Sequence, residues 1–154
     1  MFLEKQRVNI VWLKRDLRTQ DHGPLAEAEK HQIPYVVIFI IEPSWLKRGD
    51  FSLRHLQFIS QSISAMSEKF ESRNINIKTL YGEALSVFKH LSQNFHIQYV
   101  MSHQESGTYE SWKRDKVIEK LFKERSIKWL QFQSNGVIRG IQNRKGWDGL
   151  WYKH

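Results

Sequence analysis

Residues 8–13, VNIVWL, are followed by the polar stretch 14–23, KRDLRTQDHG, and then by the run 24–28, PLAEA. In the first segment β-branched, aliphatic and aromatic side chains point to both sides of an extended chain, with Asn9 the lone polar interruption. A strand that is apolar on both faces needs cover on both faces, which is the condition of a parallel sheet flanked by helices. Residues 34–41, PYVVIFII, repeat the pattern and read as a second strand buried on both sides. Between the two, Asp21 is placed to cap a helix that carries Pro24 in its first turn and Leu25 and Ala28 inside.

Outward from this unit the alternation continues. Residues 51–73 form the longest helical pattern, with Ser52 as its cap and Leu56, Ile59, Ile63, Met66 and Phe70 at steps of three and four, one stripe against a sheet. A strand is expected at 75–80 (INIKTL). A helix over 82–93 carries Leu85, Phe88 and Leu91, and a strand follows at 97–101 (IQYVM). A helix over 107–125 turns Ile118, Leu121 and Phe122 inward, and a last strand covers 127–132 (IKWLQF). Trp12 and Trp129 fall within strands and are expected in the core, with Trp112 packing from its helix. Five strands separated by four helices predict an α/β domain, a three-layer α/β/α sandwich around a five-stranded parallel sheet of order 3-2-1-4-5. That domain is expected over 1–133. Residues 134–154 read as the start of an extended linker whose Val137, Ile138, Trp147, Leu150 and Trp151 must cover either this domain or a second one.

Composition narrows the chemistry. Lys plus Arg is 24 against 16 Asp plus Glu, a formal net charge of +8, suited to an anionic partner such as DNA or a phosphate-bearing cofactor, or simply a solvated basic surface. With no cysteine, disulfide scaffolds, thiolate metal sites and Cys nucleophiles are excluded. Residues 1–7, MFLEKQR, lack the apolar run of a secretory signal, and no stretch is long enough to span a membrane, so the expected setting is the cytoplasm.

Ligands of open parallel sheets bind beyond the carboxyl ends of the strands, where the strand order reverses. The loops there are 14–23, 42–50 (EPSWLKRGD) and 102–107 (SHQESG). Together they hold Lys14, Arg15, Asp16, Asp50, His103, Gln104 and Glu105, with Trp45 as an aromatic plate: a collection suited to a planar heterocycle with hydrogen-bonding edges. Asp16 can equally pair with Arg15 or Arg18 or bind the backbone amides of its turn. His22 belongs to the first turn of the first helix, and His103 with Glu105 lacks a third metal ligand at a suitable spacing. A G-x-G-x-x-G fingerprint, a P-loop and a G-x-S-x-G elbow are all missing, and no complete active site is legible.

The same loops carry a family likeness. Residues 8–28, with Trp12, Arg15, Asp16, Leu17, Arg18, Asp21, His22, Pro24 and Leu25, resemble the opening of DNA photolyases and cryptochromes. FIIEPSW followed by FSLRHLQFISQSI is similar to the family's second strand and long helix, with Ser52 and Arg54 matching. SHQESGTYESWKRDKVIEK is similar to its fourth-strand loop and helix, with Glu105, Arg114, Asp115 and Val117 matching.

The resemblance implies a Rossmann-like antenna module. Such a module binds a folate, deazaflavin or flavin as second chromophore, here through Lys14, Arg15, Asp16, Asp50, Arg54, His103, Gln104 and Glu105. It also implies a helical C-terminal domain, absent from this sequence, that binds FAD and UV-damaged DNA and carries the light-driven repair, so that the 154 residues alone catalyse nothing. The loop H-Q-E-S-G-T-Y and the Gly49–Asp50 pair depart from the better-known antenna patterns, which leaves the pigment open. The competing readings are a stand-alone nucleotide-binding α/β module of the stress-protein or electron-transfer-flavoprotein type and a basic nucleic-acid-binding domain that uses the aromatic tail.

Overall fold

The computed structural model describes residues 5–133 together with 143, 145–147, 149 and 152. The expected linker, 134–154, otherwise lies outside the described residues. The elements in chain order are β1 (Arg7–Leu13), α1 (Gly23–Lys30), β2 (Tyr35–Ile41), α2 (Pro43–Leu46), α3 (Leu53–Glu71), β3 (Ile77–Tyr81), α4 (Ala84–Asn94), β4 (His96–His103), α5 (Tyr109–Glu124) and β5 (Lys128–Phe132). All four strand pairings are parallel, and the order is β3-β2-β1-β4-β5. The fold is the expected three-layer α/β/α arrangement, with the reversal of strand order between β1 and β4.

The period of two along each strand sorts its side chains between the faces. Ile10, Trp12, Ile38, Ile40 and Val100 meet Phe88 of α4 and Ile118 and Phe122 of α5. Val11, Leu13, Val37, Phe39 and Met101 meet Leu25 and Ala28 of α1 and Met66 and Phe70 of α3. Asn9, the polar interruption in β1, stands where the register between β1 and β4 slips by one residue. Its Oδ1 accepts a hydrogen bond from the Tyr99 amide at 3.2 Å, replacing a ladder bond that the bulge removes.

Several local expectations change. The cap of α1 is His22, whose Nδ1 accepts from the Leu25 amide at 3.3 Å; Asp21 sits in the left-handed region at φ 48° and is turned away from that role. β4 runs on to His103, because the parallel ladder with β5 continues through the pairs Ser102–Gln131 and His103–Phe132. The short α2 falls within a stretch read as loop, four residues being too few to show a helical stripe. Trp112 is 44% exposed and outside the core, since Ser111, Asp115 and Ile118 occupy the inward side of α5.

Phe88 is fully buried, with its ring 4.9 Å edge-on from both Trp12 and Phe122. Truncation leaves a cavity in the centre of that face, so Phe88→Ala is expected to lower the unfolding free energy by about 3–5 kcal/mol in urea denaturation. A loss below about 1 kcal/mol would contradict this packing.

Candidate functional site

Beyond the carboxyl ends of β1, β2 and β4 opens a cavity of about 890 Å³. Its floor is a chain of buried ions. Lys14, the residue after β1, places Nζ 2.7 Å from Asp115 Oδ2. Arg114, beside Asp115 on α5, donates from Nη1 to Glu42 Oε1 at 2.7 Å and from Nη2 to Glu105 Oε2 at 2.9 Å. It also donates to Asp115 Oδ1 from Nε and Nη2 at 3.1 and 2.9 Å. Glu42 follows β2 directly and Glu105 lies just past β4, so each of the three central strands ends in a charge that α5 neutralises. Glu105 Oε1 further accepts from the Gly107 amide at 2.8 Å and from Arg15 Nε at 3.3 Å. A Cβ on Gly107 would meet Arg15 Nη2 at 2.5 Å and that carboxylate oxygen at 2.6 Å, so a side chain there would displace the Arg15–Glu105 pair.

Burial sets the electrostatics of the floor. Desolvation raises the Glu42 pKa despite the Arg114 guanidinium. Desolvation also pushes Glu105 upward, but Arg114, Lys14 and Arg15 together outweigh it and hold its carboxyl below the ordinary value. Burial lowers the Lys14 ammonium against the pull of Asp115. That ammonium also lies over Trp12 and Trp129, 4.5 and 5.1 Å from their ring centroids.

The walls are apolar. Trp45 of α2, Phe51, and Phe58 and Ile59 of α3 line one side, with Leu85 and Val117 opposite. Phe58 is 68% exposed and, with Trp45 and Phe51, makes a contiguous apolar lining on this side of the cavity. Arg48 closes one stretch of the rim: it forks onto Asp50 at 2.9 and 2.6 Å and donates to Thr108 Oγ1 at 3.1 Å, tying the loop after α2 to the cap of α5.

Of the residues expected at the site, Lys14, Arg15, Asp16, Asp50 and Glu105 line the cavity, whereas Arg54, His103 and Gln104 do not. Arg54 is exposed in the first turn of α3. The backbone N–H of Gln104 donates to the Phe132 carbonyl at 2.8 Å, extending the β4–β5 edge past His103. His103 is buried against Asp16, with Nδ1 2.6 Å from Oδ2. Arg114 and Glu42 were not singled out as site residues. A signal existed: Asp115 stands three and seven residues before Ile118 and Phe122, a carboxylate on an apolar helical stripe that demands a buried cation.

Asp16 organises the loop after β1. It accepts from the Lys14 amide at 2.7 Å and from His103, and His22 Nε2 lies 2.8 Å from the same Oδ2. Burial opposes its charge, but the hydrogen bond with His103 and then the imidazole of His22 close beside it hold its pKa far below the usual carboxylate range. These three residues bring potential metal ligands within 4.8 Å of one another. His22, however, accepts the Leu25 amide on Nδ1 and so carries its proton on Nε2. A metal on Nε2 would move that proton to Nδ1 and break the cap of α1.

Comparison with known proteins decides the relationship. A family model described as DNA photolyase matches residues 9–146. The chain belongs to the DNA photolyase family. The blue-light photoreceptor PHR2 of Arabidopsis thaliana is 23% identical over 135 residues, covering 82% of this chain and 29% of that one. Among solved structures, a Synechocystis cryptochrome superposes with a TM-score of 0.77 at 18% identity, over 85% of this chain and 28% of the other. An archaeal photolyase of Sulfolobus tokodaii, solved with two FAD molecules, gives 0.75 at 20% identity over 96% and 35%. A class III photolyase of Agrobacterium tumefaciens gives 0.74 at 20% over 94% and 29%. This photolyase-family chain thus spans about a third or less of each relative, and at these identities the likeness to the solved structures is one of fold.

The ion-paired floor and the Asp16 cluster each lead to an expected outcome. Arg114→Met leaves Glu42 and Glu105 buried without their shared cation, and is expected to destabilise the chain by about 3–5 kcal/mol at neutral pH in thermal or urea unfolding. Asp16 has a folded pKa below its ordinary value of 3.8, so its stabilisation is present above that value and is lost as pH falls below it. Asp16→Asn should therefore show a flatter decline in stability than the native chain between about pH 5 and pH 2. Equal acid limbs in the two proteins would contradict the assignment.

Proposed function

We propose that this domain holds the second, light-harvesting chromophore of a photolyase or cryptochrome. The pigment is a folate, deazaflavin or flavin that passes excitation to FAD in a helical domain of the parent chain. The carrying observation is the cavity itself: a slot at the strand-order reversal with the exposed Phe58 and the half-buried Trp45 and Phe51 rings on its walls and a floor of ions already paired with one another. An antenna site performs no bond chemistry. It has to hold a flat absorber at one angle and keep solvent from its face, and a floor of mutually satisfied charges does this without competing for protons.

Within this reading the roles divide by what each side chain already does. Lys14 is neutralised by Asp115 and supports the floor. Arg15, with a side chain 64% exposed, has charge to spare for a glutamate tail or phosphate. Phe58 and Trp45 take the ring faces, Asp50, with a side chain 68% exposed at the rim, offers an acceptor to a ring edge, and Glu105 stays on the floor with Arg114 and Arg15. UV-damaged DNA is the partner of the whole protein through the FAD-binding domain, and the cleavage of pyrimidine dimers belongs there. Among the described residues no helix is long and apolar enough to cross a membrane. The competing nucleotide-binding module is disfavoured by the family match over 9–146, and the loop after β1 is held by Asp16 rather than by a run of glycines.

The test is a titration of the purified chain with a reduced folate, a deazaflavin, FMN, FAD and ATP, followed by pigment absorbance and fluorescence and, for ATP, by calorimetry. One of the pigments is expected to bind. Phe58→Asp and Arg15→Ala, both at exposed positions, are expected to weaken it about tenfold each, through lost ring contact and lost charge pairing. Binding of ATP alone, or pigment binding indifferent to both changes, would overturn the reading.

A further inference from the structure

The outward side of α5 carries a second surface that meets the cavity rim only at Lys113. Tyr109 and Trp112 are 63% and 44% exposed, with rings 6.0 Å apart and 16° from parallel. Lys113 Nζ lies 4.5 Å from the Tyr109 ring centroid and Lys116 Nζ 5.6 Å from that of Trp112. Lys120 and Lys123 continue the column at helical spacing, and both are exposed. Glu119 pairs with Lys116 and Lys123 at 3.5 and 3.1 Å, contacts that at an exposed position exchange readily. The inward side, with Ile118, Leu121 and Phe122, already supplies the contact with the sheet, so the fold makes no demand on this column. From residue 109 to 123 it runs about 21 Å along the helix.

We propose that this face of α5 is a stacking platform for a single strand of nucleic acid, bound without regard to base sequence. Flat exposed rings offer themselves to other flat faces, and a duplex hides its base faces while a single strand presents them. In the free chain the Lys113 and Lys116 ammonium groups lie over the rings; both side chains are exposed, so a base can take the ring face while the ammonium moves to the phosphate beside it, and the chain's +8 charge draws a polyanion toward them. A lipid surface fits less well. It takes up apolar side chains around an anchoring Trp, whereas positions 113, 116, 119, 120 and 123 beside these rings are all charged.

The 154-residue chain is titrated into fluorescein-labelled oligothymidylate and, in parallel, oligouridylate, with anisotropy read over a range of salt. Both strands are expected to bind within a few fold of each other, with a log–log salt slope of up to about −3 for four lysines. Trp112→Leu, and separately Lys116→Glu with Lys120→Glu, are expected to lower affinity about tenfold or more, with circular dichroism unchanged. None of these three residues lines the cavity, so the result stands or falls apart from chromophore binding. Lys69→Glu with Lys89→Glu, the same charge change on α3 and α4, is expected to leave affinity within about twofold. The proposal is overturned by an equal loss in that control pair, by a duplex binding as tightly as the single strand, or by Trp112-dependent binding to anionic phospholipid vesicles alone.

Discussion

A single guanidinium holds the working end of the sheet together. Arg114 reaches Glu42 after β2 and Glu105 after β4, and its neighbour Asp115 takes Lys14 after β1. Parallel strands cannot be tied by hairpins at their carboxyl ends, so the three loops that leave the sheet here need another constraint. A charge at each strand end, paired to one helix, supplies it. Buried ions are a poor source of net stability, because desolvation takes back most of the Coulombic gain. Their value lies in directionality: a fork with fixed donors admits few arrangements of the carboxylates around it.

Asp16 constrains the loop after β1 in the same manner. Its carboxylate gathers the Lys14 amide, His103 from the end of β4, and His22, which also caps α1. The polar segment between β1 and α1 is thereby fastened to the neighbouring strand, and Arg15 is left at the rim. The result is a cavity whose floor is internally satisfied and whose apolar walls are not. Phe58 remains open to solvent while the ions beneath it have partners. That division between a finished floor and an unfinished wall is what favours a held, unreacted ring over a substrate undergoing chemistry.

The cavity is one consequence of this arrangement and the outer face of α5 is another. The helix spends its inward residues on the core and its first turns on the ion network. Its remaining side, with Tyr109, Trp112 and a lysine column, has no structural task in the described residues. Reading Trp112 as packing failed for this reason. Helical spacing places it one position past Ser111, and small rotations decide whether such a residue meets the sheet or the solvent.

The strands, their parallel pairing and the reversal of strand order, beside which the cavity opens, were legible in the sequence. Two-sided apolar runs such as VNIVWL and PYVVIFII have only one stable setting, covered on both faces, and that logic needs no coordinates. So was the family likeness, which rests on short motifs in register. The assignment of individual polar residues was not. His103 and Arg54 are as polar as Glu105, yet one is turned beneath the loop to bind Asp16, another faces water, and the third lies on the cavity floor. Composition and spacing state which charges exist near a site. Only the packing of α5 against three strand ends decides which of them are neutralised, which are exposed and which remain to meet a ligand, because pairing depends on distances of a few ångströms between residues far apart in the chain.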